Sequence, residues 1–184
     1  MGIGSQIARK RAVFLDRDGV LNQAIVRDGK PYPPKNISEL KILPGVKGAL
    51  EDLKKNQWVL VVVTNQPDVA RGTVSKESVE AINDRLKDEL SIDEFLTCFH
   101  DTKDRCDCRK PEPGFLLLSA KRYGLNLREC YMVGDRWRDI EAGEKAGCKT
   151  VFIDYGYDEK QPANPNYTVK NLPEAVEKIL GEKA

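Results

Sequence analysis

Apolar residues recur along this chain in two alternating patterns. Short unbroken runs, rich in β-branched and aromatic side chains, occupy residues 12–15, 58–63, 95–99, 131–133 and 151–153. Such runs suit strands buried on both faces, and 151–153 is the last clear one. Between them apolar positions return every three or four residues. Val46, Ala49, Leu50 and Leu53 share one helical face after Pro44, a residue suited to opening a helix. Val79, Ile82, Leu86 and Leu90 share another, with Ser75 as its N-cap and Glu77 in its first turn. Residues 115–123 predict a helix stopped at Gly124, and residues 140–146 one ending at Gly147. Residues 172–180 predict a last helix with Pro173 near its first turn, and residues 29–34 read as a turn-rich loop. The alternation predicts an α/β fold, a single doubly wound parallel sheet with right-handed crossovers. No repeat or low-complexity tract interrupts it. The 184 residues are expected to form one domain, with a core over about 12–181 and an N-terminal arm over 1–11.

Charge narrows the partners. Thirty basic and 29 acidic residues balance, and aromatics make up 7%. That gives no electrostatic case for nucleic acid or an anionic membrane. No apolar run approaches the roughly 20 residues that span a bilayer. The arm is basic without the apolar core of a signal peptide, so a cytoplasmic location is expected. Of five cysteines, Cys130 and Cys148 lie in apolar surroundings and read as core. The other three fall with the only histidine inside residues 98–108.

Four predicted strand ends carry polar chemistry. The first run delivers Asp16 and Asp18 to its C-terminal tip, followed by Gly19. Ligands bind at such tips in open α/β sheets. Two close carboxylates attract a hard cation such as Mg²⁺ and can divide the roles of nucleophile and acid/base. The second tip is Thr64-Asn65-Gln66, where a hydroxyl and backbone N–H groups suit a phosphate oxygen and equally suit a plain turn. The third is Arg109-Lys110-Pro111, a planar fork beside a compact cation, or a solvated face. The fourth is Gly134-Asp135-Arg136, with Asp139 one helical turn on as a site-orienting group or a helix cap.

In order, strand context and spacing, Asp16-x-Asp18-Gly19, Thr64-Asn65, Lys110 and Gly134-Asp135-x-x-x-Asp139 resemble the haloacid dehalogenase superfamily of phosphohydrolases. The resemblance covers residues 12–153 and implies an aspartyl-phosphate mechanism. Asp16 would attack phosphorus, and Asp18 would protonate the leaving alcohol and then activate water. Asp16, the Asp18 backbone carbonyl and Asp135 would hold Mg²⁺, and Thr64 and Lys110 would stabilise the phosphoryl oxygens. The predicted helices fill most of the roughly 45 residues between successive motifs, which leaves no room for a large cap domain.

Cys98, His100, Cys106 and Cys108 make a full tetrahedral donor set for Zn²⁺, with no open position, so this zinc is expected to be structural. It would pin the loop that presents Arg109 and Lys110. The Cys-x-His…Cys-x-Cys-Arg-Lys-Pro segment resembles the capless subgroup that contains heptose-bisphosphate and histidinol-phosphate phosphatases. The Ala70-Arg71-Gly72 segment is similar to the heptose enzymes, and an added arginine suits a second phosphate. The implied activity is Mg²⁺-dependent release of the 7-phosphate of a heptose 1,7-bisphosphate. Histidinol phosphate is the alternative substrate, with a polynucleotide 3′-phosphate third. Asn65, Gln66, Arg71, Arg109 and Arg136 are the expected substrate contacts, and a monomer is the expected unit. Departures are the short stretch between His100 and Cys106, Pro67 in place of a small polar residue, and an unmatched segment over 23–27.

Overall fold

The computed structural model describes residues 10–182, so nearly all of the predicted N-terminal arm lies outside the described residues. In chain order the strands are β1 (Ala12–Leu15), β2 (Ile25–Arg27), β3 (Lys30–Tyr32), β4 (Val59–Asn65), β5 (Glu94–Cys98), β6 (Tyr131–Gly134), β7 (Lys149–Ile153) and β8 (Tyr167–Val169). The α-helices are α1 (Val46–Lys55), α2 (Lys76–Glu89), α3 (Gly114–Tyr123), α4 (Trp137–Ala146) and α5 (Leu172–Gly181). Six strands form one sheet in the order β5-β4-β1-β6-β7-β8, with every neighbouring pair parallel.

Both faces of the sheet are covered, which explains the unbroken apolar runs. Val13, Leu15, Leu60, Val62 and Val133 point to one face and pack with residues of α1, α2 and α5. Phe14, Val61, Val63 and Met132 point to the other and pack with Leu116 of α3 and Ala146 of α4. The chain moves outward from β1 to β4 and β5, then returns to β6 on the far side of β1. The β1/β6 boundary is therefore the switch point, where loops diverge and a crevice opens at the strand tips.

The structure differs from the pattern reading at several ends. Trp58 lies outside β4 because its N–H bonds the Leu53 carbonyl at the end of α1 (3.1 Å). β4 continues through Thr64 and Asn65, which pair in register with Thr97 and Cys98 of β5. The predicted loop over 29–34 is half of an antiparallel hairpin, β2–β3, turned by Asp28 and Gly29 at positive φ. β8 is an additional short edge strand. α4 starts at Trp137, three residues early, because Asp139 closes a capping box on the Arg136 N–H.

Gly143 lets α4 lie close against the sheet. A Cβ there would stand 2.7 Å from Met132 Cβ and 2.8 Å from Thr150 Cγ2. Alanine gains about 1 kcal/mol of helix propensity, against roughly 1–3 kcal/mol for overpacking. Contacts from two adjacent strands favour the upper end. Gly143→Ala is expected to lower the urea midpoint by a net loss of about 1–2 kcal/mol. A stabilised variant would mean that α4 lifts off the sheet without cost.

Candidate active site

The tips of β1, β4 and β6 and the segment around Lys110 surround a cleft of about 270 Å³. Asp16, Asp18, Thr64, Lys110, Asp135 and Asp139 are among its lining residues. Lys110, 2% exposed, is the electrostatic centre. Its Nζ donates to Asp16 Oδ1 (2.7 Å) and to the Val63 carbonyl (2.6 Å), and pairs with Asp139 Oδ1 (2.7 Å). Burial opposes the lysine charge, but Asp139 and Asp16 outweigh it and lift the pKa above the ordinary lysine value. Burial also raises Asp16, to about 6. Lys110 pulls it back, and the neighbouring Asp139 and Asp18 push it up.

Asp135 gains only weaker relief, from the nearby Tyr157 hydroxyl and the Arg136 charge. It is 1% exposed, and neither carboxylate oxygen meets a hydrogen-bond partner. Burial raises its pKa well above the ordinary range, reinforced by the charges of Asp16 and Asp139. Gly19, at φ +87°, leaves the space that Asp135 fills: a Cβ there would lie 1.9 Å from Asp135 Oδ2. Carboxylate oxygens of Asp16, Asp135 and Asp139 lie within 4.8 Å of one another. Buried, unpartnered oxygen donors of this kind fit a hard divalent cation. Asp139 is already committed to Lys110 and to the Arg136 N–H (3.0 Å).

Asp18 sits beside this group in a ring of donors. Asn22 Nδ2 reaches Oδ1 (2.9 Å) and Gln66 Nε2 reaches Oδ2 (2.8 Å). Arg17, fully buried, closes a fork on both oxygens, with Nη2 at 3.0 Å from Oδ2. Gln66 also donates to Thr64 Oγ1 (2.9 Å), which leaves the Thr64 hydroxyl hydrogen free to donate into the cleft. The Gln66 amide, expected against substrate, is thus turned inward, and Gln66 is not among the lining residues. Asn65 lines the cleft and clamps the Lys110 backbone, donating to its carbonyl (3.0 Å) and accepting its N–H (3.1 Å). Arg17, its partner Asn83, and Asn22 were missed as site residues. The available signal was Asn83, a polar residue within the apolar stripe Val79, Ile82, Leu86.

The predicted arginines stand around the cleft wall, each with a partner. Arg71 pairs with Asp101 (2.8 Å) and Asp68 (3.3 Å). Arg136 pairs with Glu159. Arg109 Nη1 donates to the His100 carbonyl (3.2 Å). Arg138 also lines the cleft and packs on Trp137. Lys30, Pro31 and Tyr32 of the hairpin complete the rim.

Cys98, His100, Cys106 and Cys108 are drawn into one cluster. Cys108 Sγ lies 3.3 Å from Cys98 Sγ, 3.4 Å from Cys106 Sγ and 3.4 Å from His100 Nδ1. Cys98 Sγ lies 3.7 Å from Cys106 Sγ and 3.6 Å from His100 Nδ1. A tetrahedron with metal–sulfur bonds of about 2.3 Å has edges of about 3.8 Å, and slightly less to nitrogen. The donor set therefore fits a tetrahedral metal. Cys130 and Cys148 are buried, as expected of core residues.

A HAD-hydrolase-like family model matches residues 107–175. The D-glycero-beta-D-manno-heptose-1,7-bisphosphate 7-phosphatase of Bordetella bronchiseptica is 35% identical over 155 residues, 82% of this chain and 84% of that protein. The enzyme of the same name from Pasteurella multocida is 32% identical over 95% of this chain and all of its own length. The chain belongs to the heptose-bisphosphate phosphatase family of the haloacid dehalogenase superfamily. A crystal structure of the B. bronchiseptica D,D-heptose 1,7-bisphosphate phosphatase, complexed with magnesium and phosphate, superposes with a TM-score of 0.76. It covers 95% of this chain and 99% of that one at 31% identity. Among the described residues no large cap domain covers the cleft, as expected, and the β2–β3 hairpin lines part of its rim.

The raised carboxyls fix the sign of a pH effect. With no divalent cation added, Asp16 and Asp135 hold protons in the folded state at a pH where the unfolded chain has released them. The folded state then binds more protons, so stability falls as pH rises from about 4 through about 6. Asp135→Asn removes one of these groups. It is expected to flatten the decline in melting temperature between pH 4.5 and 6.5 and to abolish stabilisation by added Mg²⁺. An unchanged pH slope would show that Asp135 is solvated in the free protein.

Proposed function

We propose that the chain is a Mg²⁺-dependent phosphatase that removes the 7-phosphate of D-glycero-β-D-manno-heptose 1,7-bisphosphate. The observation that carries the reading is Asp16, gripped by Lys110 and set beside the unpartnered carboxylate of Asp135 at the β1/β6 switch point. Two relatives, matched over 84% and 100% of their own lengths, bear this enzyme's name, which supports the substrate and the β anomer.

In the proposed reaction an Asp16 oxygen attacks phosphorus and the bond to the ester oxygen breaks. Asp18 gives its proton to the departing alkoxide. Thr64 donates to one phosphoryl oxygen, and Lys110 turns the hydrogen it gives Asp16 toward another as the charge moves. Asp18, now ionised, takes a proton from water, whose oxygen attacks phosphorus; the bond between phosphorus and the Asp16 oxygen breaks, which releases phosphate and restores the Asp16 carboxylate. Asp16, the Asp18 backbone carbonyl and Asp135 would hold Mg²⁺, which supplies charge neutralisation between the phosphoryl group and the carboxylates.

Asn65, Arg71, Arg109 and Arg136 are proposed to face substrate, Arg71 toward the second phosphate by exchanging Asp101 for it. Gln66 is proposed to act from beneath, through Asp18 and Thr64. Cys98, His100, Cys106 and Cys108 are proposed to hold a structural Zn²⁺ that fixes the segment carrying Arg109 and Lys110. The cluster's reduced thiols suit the cytoplasm. No helix among the described residues is long and apolar enough to cross a membrane. We take the 184 residues as one phosphatase domain. One chain supplies every group named, and a monomer is the proposed unit.

Phosphate release from both anomers of the bisphosphate and from histidinol phosphate tests the substrate. The β-heptose substrate is expected to lead, and Asp16→Asn to lose at least about 10³-fold in kcat while remaining folded. A histidinol-phosphate preference would keep the mechanism and overturn the substrate. Arg71→Ala is expected to raise KM for the bisphosphate more than for a monophosphate. Equal effects would remove Arg71 from the second-phosphate site. Elemental analysis is expected to find about one zinc per chain, reduced in Cys108→Ser. A zinc-free protein of full activity would overturn the zinc assignment.

A further inference from the structure

The Asp18 ring rests on a polar chain that runs away from the cleft. Arg17 has no exposed surface, and its Nε and Nη2 are spent on Asp18. The remaining nitrogen, Nη1, donates to Asn83 Oδ1 (2.9 Å). Asn83 lies on α2 and is 7% exposed. Its other amide atom, Nδ2, donates to Thr97 Oγ1 on β5 (3.0 Å). The two bonds fix the amide orientation, since one needs the oxygen and the other the nitrogen. Leucine, the commoner choice on such a stripe, offers neither. An arginine beside its own acid in sequence has many rotamers that break the fork. Asn83 selects the one that keeps it.

We propose that Asn83 is a positioning residue for the acid–base step: through Arg17 it holds the Asp18 carboxylate where the leaving oxygen departs. The inference rests on the reading of Asp18 as proton donor. No residue of α2 lines the cleft, so Asn83 acts without touching substrate. Thr97 is the outer anchor of the same chain, set beside Thr64 by the β4–β5 register.

Leaving-group dependence tests this where a general loss of folding would not respond. p-Nitrophenyl phosphate expels an oxyanion that needs little protonation, whereas a primary alkyl phosphate such as the heptose bisphosphate needs the acid. Asn83→Ala is expected to lose on the order of tenfold in kcat/KM, which reports the step that expels the alcohol and not hydrolysis of the aspartyl phosphate, with the alkyl ester, part of the 10²–10⁴ a placed acid supplies, and under about threefold with p-nitrophenyl phosphate. Thr97→Val keeps the Arg17–Asn83 bond and is expected to show a smaller loss with the same selectivity. This variant carries the test should Asn83→Ala not fold. Equal losses on both esters, or none, would overturn the proposal. Asp18→Asn serves as the reference. If its kcat/KM falls equally on both esters, the reading of Asp18 as proton donor fails and takes this proposal with it. If it shows the selectivity and neither Asn83→Ala nor Thr97→Val does, only the positioning role fails.

Discussion

Lys110 is the group on which three separate parts of the chain converge. Its ammonium is enclosed by Asp16 from the tip of β1, the Val63 carbonyl from β4 and Asp139 from the first turn of α4. A buried cation stays charged only where such acceptors replace its water. Removing one partner from a buried pair typically costs about 3–5 kcal/mol, because the other charge is left stranded. The contacts that aim the proposed nucleophile are therefore also contacts that tie the strand tips together. The Asn65 amide grips the Lys110 backbone from both sides, so stem and head of the lysine are both set.

From that centre the charges do not balance. Asp16, Asp18, Asp135 and Asp139 face two buried cations, Lys110 and Arg17. Lys110 serves Asp16 and Asp139, and Arg17 serves Asp18. Asp135 is left over, in a place where burial disfavours its charge. The site is stable as an arrangement of hydrogen bonds and incomplete as an arrangement of charge. A divalent cation held beside Asp135 would offset the excess. Gly19 belongs to the same constraint, because any side chain there would occupy the space of the Asp135 carboxylate.

The strand tips were legible in the sequence because each follows an unbroken apolar run, and a doubly wound sheet gathers such tips at one edge. Asp16, Thr64 and Asp135 needed only order and fold class to be brought together, whereas Arg109-Lys110-Pro111, read as a third strand end, lies on an irregular segment beyond the end of β5 at Cys98. The cysteine–histidine set was legible from rarity and spacing. The hairpin was not: strands of three residues are too short for alternation to register, although Asp28-Gly29 is a recognised hairpin turn. β8 failed for the same reason of length. The direction of Gln66 was illegible because spacing gives a residue's position and not the rotamer chosen by its partners. Arg17 reads as solvent-exposed in any composition-based view, and only the α2 packing shows why it is buried. The arginines at the rim were legible as cations but not as members of ion pairs, since Asp101 and Glu159 come from distant loops.

The cysteine–histidine cluster explains how a lysine on an irregular segment reaches the precision of a strand tip. Cys98 ends β5 beside Asn65, so one end of the segment is fixed by sheet register. Cys108 precedes Lys110 by two residues, so the other end is fixed by the cluster. The intervening chain has only a short 3-10 turn, capped by Asp101, to order it. Left open, such a segment would spend backbone entropy to hold Lys110 in place. Anchored by sheet register at one end and by the clustered side chains at the other, it has lost part of that freedom before any substrate arrives. Asp101, within the same segment, carries the restraint outward to Arg71, and the His100 carbonyl carries it to Arg109. Order established at the thiols is thus shared between the lysine on the cleft floor and the arginines on its wall.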